Sequence, residues 1–512
     1  MDNPFRVFEE VRLAYQRYLD SPFRLRYDAL LEERRGILFR DGQLFREPLI
    51  EPIPPYESSG LTIAQACTQL GVPGEAAEFI TRGLFRAGLP LHQHQFEAWQ
   101  CSRAGRAVVV TTGTGSGKTE CYLLPVFAYL VEDLMRGWGS PGSPPGRHLW
   151  WRHPRQRRIP QRSHEPATRP SAVRALMLYP LNALIEDQLS RIRKACDNEE
   201  ARRWFIGAFA DHRFWYGRYN SVAPVSGIEE SPHKRSELKG RLQEMDLNWG
   251  RATVSAGARR AQAASAEEAR RADDILNYFQ NPEGSEMWSR WDMQSHPPDI
   301  LITNYSMLNI MLMRSLEDGI FDQTRRWLEA DRENHVFHLV VDELHTYRGT
   351  PGTEVGYLLR ALLRRIGLEP DSPQLRIIAT SASIENDSQS REYLQQFFGR
   401  DGSSFEILSG QQRSFPAPGG GLLAYASRFA TLDDELTSLP VAQAAANFAA
   451  AVGVASTGEP GDDLARAYEE IRGLEPVRAV GEQEPFTLEQ LASVLFGGAS
   501  DADKAAAQGV IR

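Results

Sequence analysis

The chain has 512 residues, 42% of them hydrophobic, enough for roughly two to four domains with cores of their own. Its formal net charge of −9 excludes a protein that coats nucleic acid through bulk charge and confines any such contact to a local groove. The cysteines Cys67, Cys101, Cys121 and Cys196 form no CxxC pair and lack histidines at metal-ligand spacing, so they read as reduced core residues of a cytoplasmic protein without structural zinc.

The first region, residues 1–88, opens with MDNPFRVFEEVRLAYQRYLD, where apolar residues recur at helical spacing among charges and no continuous apolar stretch marks a secretion signal. In RGILFRDGQLFREPLIEPIPPYESSG, Asp41 and Gly42 between apolar runs predict a β-hairpin, the prolines predict a linker, and short helices such as IAQACTQL follow. Over residues 89–400, strands rich in Val, Ile and Leu alternate with helical segments, the pattern of a parallel α/β sheet flanked by helices. Two insertions interrupt it: residues 136–170, rich in Pro, Gly and Arg and expected to be mobile, and residues 220–291, which carry the helix-forming run ARRAQAASAEEARRADDILNYF. Residues 401–512 read as a mostly helical connecting region. Its run VAQAAANFAAAVGVA is too broken by Gln, Asn and Gly to cross a bilayer, so no membrane partner is expected. The fold class is therefore α/β, with a small α+β region before the sheet and helices after it.

Chemistry concentrates in two stretches. In VVVTTGTGSGKTE, Val108 to Glu120, a strand-forming run leads into a glycine-rich loop and then a helical pattern. Glycines let successive N–H groups turn inward, so Thr112, Gly113, Thr114, Gly115, Ser116 and Gly117 form a candidate phosphate cradle at the positive end of a helix. Lys118 would reach the β- and γ-phosphates and the Thr119 hydroxyl would hold Mg2+. Thr112 stands where the strict GxxxxGK[ST] pattern has glycine, and read alone the run also suits a plain glycine turn. Downstream, FHLVVDELHTYRG delivers Asp342 and Glu343 at the carboxyl end of an apolar strand, where open α/β sheets bind ligands. Asp342 is the candidate Mg2+ ligand and Glu343 the candidate catalytic base, with Lys118 the third catalytic residue. A solvated strand end would carry the same two carboxylates.

Taken in order, these motifs resemble superfamily 2 helicases of the DEAD/DEAH type, whose first motor domain is a RecA-like phosphate-loop sheet. LHQHQFEAW resembles the motif in which a glutamine reads adenine, a role that falls on Gln95. TGTGSGKT resembles motif I, where Thr112 is an accepted variation. ALMLYPLNALIEDQ resembles motif Ia, and PPDILITNYSML a further nucleic-acid motif of the same domain. VVDELH resembles motif II, and ATSASI resembles motif III. The resemblance implies ATP and Mg2+ as cofactors. It also implies coupling roles for His345, Ser381 and Ser383, and nucleic-acid contacts for Pro180, Asn182, Thr303 and Asn304. A core histidine and ordinary turn chemistry are the alternatives for these positions. Within the superfamily, SRWDMQSHPPDILITNYSMLNIMLMR and VVDELHTYRGTPGTEVGYLLRALLRR look most like bacterial DNA helicases with a carboxyl-terminal cysteine-cluster domain. That group includes MrfA-like repair helicases and the phage-defence helicases of DISARM (DrmA-like) and Druantia, and the resemblance favours defence.

In the first insertion, Trp150 and Trp151 lie among Arg147, Arg152, Arg155, Arg157, Arg158 and Arg162. They suit base stacking and phosphate contact, Arg155, Arg157 and Arg158 above all, and equally suit a solvated charged loop. No arginine motif of a second RecA-like lobe follows Ser383, and the family's cysteine cluster is absent from the sequence. The expectation is an ATP-dependent DNA helicase or translocase represented by its first lobe, weak or inactive alone. Its partners would be DNA, a second lobe in the same or a separate chain, and defence-system subunits. A nucleotide-responsive DNA-binding module and a DNA-repair helicase stay open as alternatives.

Overall fold

The computed structural model describes residues 4–22, 25–40, 42–46, 48–50, 56–113, 115–139, 149–153, 156–162, 165, 169–227, 229, 231–263, 266–411, 425–458, 461, 463–464, 466–467, 487–496 and 498–511. They divide into two units, one of Tyr56–Gln411 and one combining Met1–Pro55 with Gln412–Arg512.

The larger unit holds a short antiparallel pair, β1 (Ser58–Thr62) and β2 (Pro90–His92), and a seven-stranded sheet. The sheet strands are β3 (Ala107–Thr111), β4 (Ala175–Tyr179), β5 (Tyr216–Tyr219), β6 (Ile300–Asn304), β7 (Phe337–Val341), β8 (Leu375–Ser381) and β9 (Phe405–Ser409). Their order is β5-β6-β4-β7-β8-β3-β9, and every pairing is parallel. Parallel strands need crossovers, and helices on both faces bury both sides of each strand, which explains the near-continuous apolar runs. Alternation along the strands serves two cores. Val109, Leu176, Leu178, Leu339, Val341, Ile377 and Ala379 enter one. Ala175, Met177, Tyr179, Val340, Ile378, Ile300 and Ile302 enter the other, beside the buried helix Lys118–Met135.

β3 and β7 flank β8, with Thr111 opposite Ser381 and Val341 opposite Ala379. The strand ends followed by the glycine loop and the acidic pair therefore lie one strand apart on the same edge of the sheet.

Three expectations change. The hairpin around Asp41–Gly42 does not form: Gly36 to Leu38 close the helix Asp28–Leu38, Gly42 donates its N–H to Phe45 O, and Asp41 lies outside the described residues. Residues 56–88 belong with the sheet unit, through β1 and the helices Ile63–Leu70 and Gly74–Gly83, whose Phe79 and Ile80 join its core. The sheet also extends past residue 400, because β9 pairs with β3 as an edge strand. In the smaller unit, helices Ala426–Ser438, Val441–Ala451, Leu488–Phe496 and Asp501–Ile511 share a core of Phe429, Leu432, Phe448, Leu491, Leu495 and Phe496. Among the described residues no helix is long and apolar enough to cross a membrane.

Candidate nucleotide site

The loop after β3 turns on glycine. Gly115 and Gly117 have φ of +77° and +76°, the left-handed region that side chains other than glycine rarely adopt. A Cβ on Gly117 would lie 2.2 Å from Gln95 Nε2, so the position excludes a side chain on space as well. Thr112 replaces the usual glycine without loss of closure: its hydroxyl bonds that of Ser116 at 2.5 Å, and both residues are buried. Lys118 and Thr119 open the helix Lys118–Met135, so the loop's N–H groups meet the positive end of an 18-residue helix. Thr114 lies outside the described residues.

Gln95 and its neighbour hold this loop from behind. Gln95 Oε1 accepts the N–H of His92, Gln95 Nε2 donates to Gly117 O at 3.2 Å, and His94 Nε2 meets Ser116 O at 2.9 Å. Both side chains are about 2% exposed. Tyr56 stands over the loop, its ring edge-on to His94 at 5.3 Å.

The acidic pair is fixed through β8. Thr380 donates its hydroxyl to Asp342 Oδ1 and accepts the N–H of Glu343 at 3.3 Å. Asp342 is 8% exposed, and burial raises its carboxyl above the ordinary aspartate value; the Thr380 bond opposes this, Glu343 adds to it, and Lys118 opposes it. The loop and the acidic pair follow strands that pair with the same β8 residues Ile378 and Ala379, which sets them on one edge. Glu343 has φ +51°, ψ +49°, a left-handed conformation that costs about 1–3 kcal/mol in a residue with a Cβ. The turn is held by Thr346, whose N–H and hydroxyl both donate to Glu343 O.

Thr119 and Asp342 are hard oxygen donors of the kind magnesium takes. Beside them Gln188 Nε2 lies 3.5 Å from Thr119 Oγ1, while its Oε1 is buried with no hydrogen-bond partner, an acceptor left for a metal-bound water. The donor set fits a magnesium nucleotide.

From the acidic pair a chain of contacts leads outward. His345 Nδ1 accepts the N–H of Ala382 at 3.4 Å and lies 3.4 Å from Glu343 Oε2. Ser383 donates its N–H to Ser381 Oγ, and Arg348 donates to Ser383 Oγ at 3.0 Å. Along the same edge, Asn182 Oδ1 accepts from Asn304 Nδ2 at 2.9 Å and from Asn220 Nδ2 at 3.2 Å, with Pro180 two residues earlier in the bend before the helix. Asn304 also caps the helix Tyr305–Met313. Thr303 differs from its neighbours: it is fully buried, and its hydroxyl donates to Tyr219 O, so its side chain ties β6 to β5.

Among its described residues, the arginine insertion is tied into the fold by its tryptophans and by Arg152, Arg158 and Arg162. Trp150 and Trp151 are 5% and 0% exposed and pack with Leu238, Leu242, Trp288 and Trp291. Their rings are therefore closed to bases. Arg152 pairs with Asp246, and Arg158 lies between Asp292 and Glu229 with its side chain 4% exposed. Arg162 is buried on Asp299. Arg157 is exposed, and Arg155 lies outside the described residues.

Sequence reading missed His94, Tyr56, Thr380, Gln188 and Arg348 as parts of the site. The repeated HQ of LHQHQ and the hydroxyl preceding Ser381 were available signals; nothing near Tyr56 in sequence marks it.

Residues 92–213 match the DEAD/DEAH box helicase family. Over 437 residues the chain is 31% identical to Druantia protein DruE of Escherichia coli (strain UMEA 4076-1), across 78% of this chain and 22% of that protein. It is 22% identical over 324 residues to the uncharacterized ATP-dependent helicase YprA of Bacillus subtilis (strain 168), across 63% of this chain and 27% of that protein. The crystal structure of the DUF1998 helicase MrfA bound to DNA is similar over 86% of this chain and 44% of that one, with 17% identity and a TM-score of 0.38. The chain thus spans about a quarter of the length of these two curated relatives.

Proposed function

We propose, from the match of residues 92–213 to the DEAD/DEAH box helicase family, that the Tyr56–Gln411 unit is the ATP-binding lobe of an ATP-dependent DNA helicase or translocase. The observation that carries this reading is that the loop before Lys118 and the pair Asp342–Glu343 leave the sheet at the same ends of β3 and β7, the two strands that flank β8. Mg-ATP, when bound, supplies the anhydride to be cleaved and the metal charge that screens it. The loop N–H groups from Gly113 to Lys118 grip the phosphates, and the Lys118 ammonium adds a point charge there. Thr119 and Asp342 would hold the metal, Glu343 would take the proton of the attacking water, and adenine would lie by the His92–Gln95 turn. His345, Ser381 and Ser383 carry the state of the site toward Asn182, Asn304 and Pro180, which would meet nucleic-acid phosphates. A second RecA-like lobe, in the same or a separate chain, would contribute the arginines that complete hydrolysis. The identity with a Druantia protein supports a place in phage defence over repair.

DNA-stimulated ATP hydrolysis by the chain, with and without its second lobe, tests this beside Lys118→Ala and Glu343→Gln. Activity in the wild type and its loss in both variants is expected; equal rates in all three would refute the assignment.

A second reading draws on one observation: among the described residues there is a single parallel sheet. The chain would then be a nucleotide-responsive DNA clamp. Non-hydrolysable nucleotide would shift its DNA affinity without strand displacement.

A further inference from the structure

Resting on the nucleotide-site reading above, we propose that His94 is a positioning residue that aims the Gly117 N–H at the bound phosphates by holding the Ser116 carbonyl from the opposite side. The peptide between Ser116 and Gly117 is trans and planar, so its C=O and N–H point in opposite directions. His94 Nε2 sits 2.9 Å from Ser116 O. A carbonyl only accepts, so that nitrogen is the protonated one and donates. The next peptide is held the same way, because Gln95 Nε2 donates to Gly117 O and turns the Lys118 N–H outward from the Gln93–Arg103 helix. Left-handed Gly117 followed by right-handed Lys118 is the alternation that lets two successive N–H groups converge on one anion. Two adjacent residues of one helix therefore set the two N–H groups that open the phosphate cradle.

His94 has no other polar contact among its described bonds that would explain its place. It is 2% exposed, and burial lowers its pKa to about 4, with the Ser116 bond opposing and His92 adding, so the ring stays neutral and donates from one nitrogen at physiological pH. The ring is walled by Tyr56 edge-on at 5.3 Å and by His92 stacked at 5.5 Å, which fixes its plane. A hydrocarbon of similar size could fill this space. It could not pull on the carbonyl.

The test compares His94→Gln with His94→Met in the full chain. The two replacements have similar length, and glutamine offers an N–H near the position of Nε2 while methionine offers none. Binding of the non-hydrolysable analogue AMPPNP with Mg2+ is measured by calorimetry, with Lys118→Ala as a control and ligand-free melting temperatures recorded throughout. The expected result is an affinity loss of about 10-fold for His94→Met, recovery to within about 3-fold of wild type for His94→Gln, and melting temperatures within about 2 °C of one another. Equal affinity for His94→Met and wild type would overturn the inference. So would equal losses in both variants tracking a lower melting temperature, which would assign His94 to packing. If the wild type itself fails to bind, the nucleotide-site reading falls and the inference with it; binding by wild type that is lost in Lys118→Ala keeps that reading whatever His94 does.

Discussion

The two edges of the seven-stranded sheet are both crowded with charge and use it in opposite ways. At the carboxyl edge, Lys118 and Glu343 are half-buried, burial raises the carboxyl of Asp342, Gln188 keeps a buried oxygen without a partner, and Glu343 is held in a strained turn. At the amino edge, Asp299 is buried beneath Arg162, Arg169 and Arg174 at 3.1, 3.2 and 2.7 Å. Arg174 reaches on to Asp133, and Arg169 to Glu165, which His212 meets at 2.6 Å. One edge keeps half-buried charges where a ligand can reach them; the other pairs its buried charges with one another, although the Nε atoms of Arg162, Arg169 and Arg174 keep no hydrogen-bond partner. Charge density in a sequence therefore does not separate a binding surface from a buried lock, whereas the pairing of each buried charge with an opposite one inside the fold does.

The comparison breaks most sharply at Glu343. Glu343→Gln keeps the shape of the carboxyl edge and removes the proton acceptor, so ATP turnover should fall about 10²–10⁴-fold while AMPPNP binding holds; a rate within threefold of wild type would place the base elsewhere. The amino edge should answer in stability instead. Asp299→Ala takes a shared carboxylate from three buried guanidinium groups and leaves Arg162 without its carboxylate partner, and should cost about 3–5 kcal/mol in urea unfolding, with nucleotide affinity of the folded protein unchanged. For Asp299, burial alone would raise the carboxyl, but Arg162, Arg169 and Arg174 more than offset it and its pKa lies below the ordinary aspartate value. A depressed carboxyl stabilises the fold fully above its unfolded value and loses that contribution as pH falls through the folded value. The wild type should accordingly lose this stability only below the ordinary aspartate range, near pH 3.8, and Asp299→Ala should flatten the acid limb of the stability curve.

A smaller effect sharpens the contrast inside the insertion. Arg158→Ala should lower stability by about 1–3 kcal/mol through its buried pairs and leave the salt slope of DNA binding unchanged; a slope reduced by about one would return it to phosphate contact. The least change belongs to Arg152→Ala, whose exposed pair with Asp246 should cost no more than about 1 kcal/mol.

The carboxyl edge was largely legible because each of its motifs is local. A strand, three glycines and Gly-Lys-Thr imply one another within a dozen residues, and FHLVVDE announces its own strand and strand end. The amino edge was not, because its logic is long-range: the partners of Arg162 and Arg158 lie well over one hundred residues away in Asp299 and Asp292, and the pocket that hides Trp151 is completed by Trp288. Read locally, WW among arginines has the composition of a nucleic-acid contact. The hairpin expected at Asp41–Gly42 failed for a related reason: the preceding residues are helical up to Leu38, with Phe39 as the cap, so no strand runs into the turn. β9 escaped because an edge strand of five residues past a Gly-rich bend resembles connecting sequence until β3 pairs with it.

The Asp299 lock also has a bearing on the order in which the chain assembles. Its three arginines precede it by 137, 130 and 125 positions, so during synthesis they emerge long before the carboxylate that will neutralise them. Closing spans of that length is slow compared with forming local helices. The insertion can therefore close on Asp299 only after that residue has been made, and Trp151 likewise gains the cover of Trp288 only after Trp288 has been made.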